Sequence, residues 1–194
     1  MAEMTREQVI EVLKNDGKGA KFDGKDLTGL NLREIDFTGV SFVGANLTLV
    51  NLCEAQLVGA NLERAYLNRV FLRRADLTSA NLLECLLVHS NVILSETSFR
   101  YSDLREASFE YAHLWKTDLS STKLEEARFL CANLPKADLK NADLTFTDFT
   151  GSVLNGADFR GAFFQHIRLD DCIYDGMTQW GEYVPESLSS EEID

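Results

Sequence analysis

The chain has 194 residues and a formal net charge of −12, with 45% hydrophobic and 26% charged residues. That composition excludes bulk disorder, and no apolar run reaches the about 18 residues that a transmembrane helix needs. A pI near 4.7 argues against direct nucleic-acid binding, which calls for a basic surface.

The polar start, Met1 to Gln8, lacks the apolar core of a signal peptide. Thr5-Arg6-Glu7-Gln8 reads as a capping box. Val9, Ile10, Val12 and Leu13 follow as an apolar stripe, and Asp16-Gly17 stops it. The spacing predicts a helix over 5–15 within a cap of residues 1–19.

From Phe22 a Leu or Phe recurs every fifth residue, through Leu27, Leu32, Phe37 and Phe42 to Leu87, with Val92 closing the run. The count restarts at Phe99 and continues to Tyr174. In this register 29 of 31 such positions are Leu or Phe, which chance does not give. Two residues before each lies an Ala-rich set of small residues, such as Ala45, Ala55, Ala127 and Ala132. A five-residue period would spiral around a helix and alternate faces along a strand. The chain must therefore turn within each repeat. Gly24, Gly29, Gly39, Gly44, Gly59, Gly151, Gly156, Gly161 and Gly176 agree, each two residues after a large apolar centre, where a type II turn needs positive φ.

The segments ANLER, ADLTS, ANLLE, ADLKN and ADLTF resemble the A(D/N)LXX consensus of pentapeptide repeat proteins, over residues 20–94 and 97–176. The overall look is similar to soluble, cyanobacterial-type members of that family, most of which have no assigned role. The resemblance implies an all-β fold: a right-handed parallel β-helix of square cross-section with four pentapeptides per coil. Here that means about eight coils over 20–176, roughly 37 Å long at the strand spacing. Phe109, Phe129 and Phe149 then share one wall, and Asp118, Asp138 and Asp158 another.

The register slips between Val92 and Phe99, and Ser95 and Glu96 read as the inserted pair at a bulged corner. With that slip, Phe99 is expected to share a wall with Leu77 and Leu119. Lys25 falls at an inward position, so its ammonium is expected to reach solvent or the cap. Residues 177–194 read as a C-terminal capping segment and acidic tail: Met177, Trp180, Tyr183, Val184 and Leu188 can cover the last coil. The last 20 residues carry six acids and no Lys or Arg.

Little points to catalysis. His89, His113 and His166 fall apart in the repeat register, and the glycines are turn glycines rather than a phosphate loop. Cys53, Cys85, Cys131 and Cys172 show neither CxxC nor metal spacing, which points to a reducing, cytoplasmic setting. The outward Asp118, Asp138 and Asp158 are read as caps of their own turns. No enzyme, metal or cofactor is expected, nor a membrane partner.

What remains is surface. Coil three is locally basic, with Arg64, Arg69, Arg73 and Arg74, and it places Tyr66 and Phe71 outward. Leu49, Leu86 and Val88 lie within about one coil. Arg beside exposed aromatics is the composition of an interface core. Tyr66, Arg69, Phe71, Arg73 and Arg74 are therefore the candidate contacts with an unknown protein partner. The expected function is a non-enzymatic interaction or scaffold module, acting as a monomer. The alternative, implied by the gyrase-protecting branch of the family, is a DNA-mimicking rod that binds a type II topoisomerase.

Overall fold

A computed structural model describes residues 2–88 and 93–182. Helix α1 spans Arg6–Asp16 and a short 3-10 turn, Gly17–Gly19, leads into the first coil. Thr5 caps α1 with both halves of the capping box in place: its side chain accepts from the Gln8 N–H, and Gln8 Oε1 accepts from the Thr5 N–H. Val9 is fully buried against the first coil. Below that coil no further coil offers its N–H donors. The Asp26 carbonyl accepts from the Glu3 N–H instead, and the Asn31 and Arg33 carbonyls accept from Arg6. Lys25 turns outward and pairs with Glu3 at 3.4 Å, so the cap takes its charge.

The rest is a parallel β-helix. Lys21 pairs with Ser41, Ser41 with Asn61 and Asn61 with Asn81. Equivalent ladders start at Asp26, Asn31 and Asp36, so four walls each repeat every 20 residues. We number the walls first to fourth in that order. Most corners are type II turns: the centre carbonyl accepts from the N–H three residues on, as in Lys25 to Phe22 and Leu30 to Leu27. The residue two after the centre takes positive φ whether or not it is glycine, as at Gly29 (φ 74), Glu126 (φ 62) and Lys136 (φ 60).

The Leu and Phe centres fill the interior, nearly all with no exposed surface. Phe109, Phe129 and Phe149 stack on the second wall with centroids 4.7 and 4.8 Å apart. Where the small inward residue is polar, it is satisfied locally. The hydroxyls of Thr97, Ser102 and Thr117 donate to the Leu72, Leu77 and Leu94 carbonyls. Cys85 is buried, and burial pushes its thiol well up from the usual range.

Two register steps differ from the sequence reading. Phe99 shares a wall with Leu77 and Leu119, as expected, because Asp76 pairs with Ser98 and Ser98 with Asp118. The extra residues, however, are not Ser95 and Glu96. Those two form an ordinary corner, with Glu96 at φ 59 and the Thr97 N–H donating to the Leu94 carbonyl. Leu94 is the buried centre and Ile93 the outward rung, paired with Phe71 and His113. The long step therefore runs from Leu87 to Leu94. Val92 and His89 lie outside the described residues.

The second step is at the C-terminal end. Asp158 pairs with Gln179, one residue further than the 20-residue repeat. Trp180 thereby lies on Phe159, with centroids 4.7 Å apart and planes within 8°. The ladder thus passes beyond 176, and Gly176, displaced from the corner, lacks the positive φ expected of it. Tyr183, Val184 and Leu188 lie outside the described residues.

Candidate functional site

In coil three the chain turns the corner between the second and third walls at Asn68-Arg69, crosses the third wall at Phe71 and turns again at Arg73-Arg74. Arg69 (φ 54) and Arg74 (φ 59) occupy the left-handed corner position. All three arginines are exposed, because the inward positions of this coil are held by Val70, Leu72 and Ala75.

Tyr66, on the second wall, is 48% exposed and pairs with Leu86, 37% exposed. Phe71, half-buried on the third wall, pairs with Ile93, also 37% exposed. Leu49 is exposed at the corner one coil below Arg69, where its N–H donates to the Asn68 carbonyl at 3.0 Å. The structure therefore gathers Tyr66, Arg69, Phe71 and Arg73 on two adjoining walls and their corners, and adds Leu49, Leu86 and Ile93 around them. Ile93 escaped the sequence reading. With Val92 taken as a centre, Ile93 counts as a corner residue; with Leu94 as the centre, it becomes an outward rung.

The arginines separate by partner. Arg74 pairs with Glu96 one coil above at 2.7 Å, and that bond holds the Glu96 carboxyl below the usual range. Arg64 makes a forked pair with Glu84 at 2.8 and 2.9 Å, which lowers the Glu84 carboxyl in the same way. Arg33, Arg105, Arg128, Arg160 and Arg168 also hold carboxylates. Arg6 donates to carbonyls, and Arg100 lies over the Tyr101 ring at 4.9 Å. Among the described residues, the side chains of Arg69 and Arg73 make no ion pair, hydrogen bond or ring contact, although the Arg73 charge helps to lower the Glu96 carboxyl that Arg74 holds. They stand on either side of Phe71.

The aspartates of the fourth wall do something else. Asp118, Asp138 and Asp158 accept from the backbone N–H groups of Ser120, Lys140 and Arg160 at 2.9, 3.0 and 3.1 Å. Each closes its own turn. Lys140 and Arg160 then neutralise the upper two, at 2.7 Å from Asp138 and 2.6 Å from Asp158. Among the described residues no group of His, Cys, Asp and Glu is arranged to hold a metal ion, and no helix is long and apolar enough to cross a membrane.

The five-residue corner repeat, the 20-residue ladders and a match to pentapeptide repeats in eight copies, over residues 18–53, 55–92, 102–141 and 137–173, decide the family. The chain belongs to the pentapeptide repeat family. Among solved pentapeptide repeat structures it is similar to HetL of the cyanobacterium Nostoc, involved in heterocyst differentiation regulation: 27% identity over 80% of this chain and 74% of that one, TM-score 0.42. Rfr23 of the cyanobacterium Cyanothece is 28% identical over 64% of this chain and 87% of its own, TM-score 0.44. QnrB1, a plasmid-mediated fluoroquinolone resistance protein, is 19% identical over 81% of this chain and 88% of its own, TM-score 0.47. No curated protein matches the chain.

Proposed function

We propose that this pentapeptide repeat protein is a non-enzymatic interaction module. It is a right-handed quadrilateral rod of eight coils, behind a cap of residues 1–19, that works as a cytoplasmic monomer and presents one side to a protein partner. The right hand follows the rule for parallel crossovers. The carrying observation is the apolar surface of coils three and four. Tyr66, Leu86, Phe71 and Ile93 are paired rung by rung across two adjoining walls, with Leu49 beneath them. Elsewhere the same outward rungs are mostly polar, as at Asn46, Asn51, Asp118 and Asp148, with Phe163 and Ile173 near the C-terminal end as exposed apolar exceptions. A rigid scaffold that exposes neighbouring aromatic and branched side chains meets the demands of an interface core at little ordering cost.

The test is affinity capture from a source-cell lysate with the parent protein and a Tyr66→Ser, Leu86→Ser variant. Both side chains are outward, so the variant should fold, and the reading predicts that a partner held by the parent is lost. Identical capture by both would remove the surface from consideration. The topoisomerase reading, implied by the gyrase-protecting branch of the family, needs an acidic rod that stands in for DNA. A gyrase supercoiling assay separates the two: inhibition or protection favours DNA mimicry, and no effect favours the interaction module.

A further inference from the structure

Arg69 and Arg73 carry information that the apolar patch does not. In a chain of net charge −12, the other arginines are tied to carboxylates, carbonyls or a ring within the fold. These two are exposed and bind no carboxylate, carbonyl or ring with their side chains among the described residues; Glu96, which feels the Arg73 charge, is already held by Arg74. Arg69 and Arg73 flank Phe71 at intervals of two residues in the same coil, one at each end of the third wall. The coil supplies their positions: its inward neighbours Val70 and Leu72 are fully buried, so the backbone between the two guanidiniums is fixed.

The walls also constrain how a partner is read. Backbone groups of coil three pair with the coils above and below: the Phe71 N–H donates to the Val50 carbonyl and the Leu72 N–H to the Ile93 carbonyl. A partner strand cannot add to this sheet edge-on and must be recognised through side chains. An extended segment places residues i, i+2 and i+4 on one face, about 7 Å apart from one to the next. Carboxylate, apolar residue and carboxylate in that order would face Arg69, Phe71 and Arg73, which follow one another at the same two-residue interval. Guanidinium favours this partner because its planar fork takes a carboxylate in two parallel hydrogen bonds.

We propose that the third wall of coil three binds an acidic, extended segment of a partner protein, an apolar side chain packing on Phe71 and Ile93 between carboxylates held by Arg69 and Arg73. This rests on the interaction-module reading and specifies its partner's chemistry.

The experiment is selection of a random peptide display library on the full-length protein, with an Arg69→Ser, Arg73→Ser variant as counter-target. The parent should enrich peptides in which Asp or Glu stands within about two residues on each side of an apolar residue, the spacing of an extended chain. Binding of a synthetic enriched peptide should fall at least about tenfold between about 50 and about 500 mM salt, and by a similar factor in the double variant. Enrichment of basic or uncharged peptides by the parent would overturn the acidic partner while leaving the interaction module standing. Equal binding to the double variant would overturn it too. No enrichment, with the parent instead retained on phosphatidylserine vesicles, would overturn it in favour of a lipid surface. The enriched sequences decide the matter even if the double variant does not fold.

Discussion

At the residue scale, each position in the five-residue unit has one physical task. The centre fills the rod, the residue two before it must be small or satisfied, and the residue two after it must tolerate positive φ. Leu134 is a fully buried mid-rod centre. Leu134→Ala should cost about 2–5 kcal/mol in urea unfolding; a loss below about 0.5 kcal/mol is the signature of an exposed change and would mean the centre is not core. Gly29 isolates the corner term, since its φ is 74 and a Cβ there would meet nothing within 4 Å. Gly29→Ala should therefore cost about 1–2 kcal/mol from the left-handed backbone alone, and an unchanged midpoint would contradict that. The period made the centres and corners legible in the amino-acid sequence. It could not choose between Val92 and Leu94, because both are apolar and Ser90-Asn91-Val92 mimics the repeat better than its neighbour. That one ambiguity moved the slip to Ser95-Glu96 and hid Ile93 from the candidate surface.

At the element scale, the two ends of the rod are closed by different means. The N-terminal helix was readable because capping boxes depend on local residue identity: Thr5 and Gln8 carry the whole signal. Thr5→Ala should destabilise by about 1 kcal/mol, with faster amide exchange over α1 but not over the mid-rod coils. The C-terminal closure was legible only in outline. Gly176 falls in phase with the other corner glycines, so the sequence continues the count past the point where the structure steps out of it. What decides the register is the indole of Trp180, which lies flat on Phe159 at 4.7 Å and edge-on to Tyr174 at 5.6 Å. Trp180→Ala uncovers that ring and should cost about 2 kcal/mol, less than a fully buried Trp. The loss should appear as early exchange in the last coil; protection unchanged there would show that Trp180 is not the lid.

At the scale of the whole molecule, charge governs stability and association. Arg105, Arg160, Arg64 and Arg74 hydrogen-bond Asp103, Asp158, Glu84 and Glu96, and hold those carboxyls below their ordinary values. A carboxyl with a folded value below its unfolded one contributes stability above the unfolded value of about 4, and loses it as pH falls through the folded value. The melting temperature should thus be level from about pH 7 to about pH 5 and fall below about pH 4. A rise on acidification would contradict the assignment of these pairs. Six acids and no base in the last 20 residues oppose end-to-end pairing, so sedimentation equilibrium should give a monomer; a dimer persisting to low micromolar concentration would overturn that.

Partner binding belongs to this scale too, because it requires one side of the rod to differ from the other. Tyr66 stands on the second wall beside the corner that carries Arg69. Ser79 turns the diagonally opposite corner of the same coil, between Asp76 on the fourth wall and Asn81 on the first. A photo-crosslinking amino acid placed at each position in turn reads the partner's location directly. A partner adduct is expected from position 66 and none from position 79. Adducts of equal yield from both positions, or from position 79 alone, would contradict it.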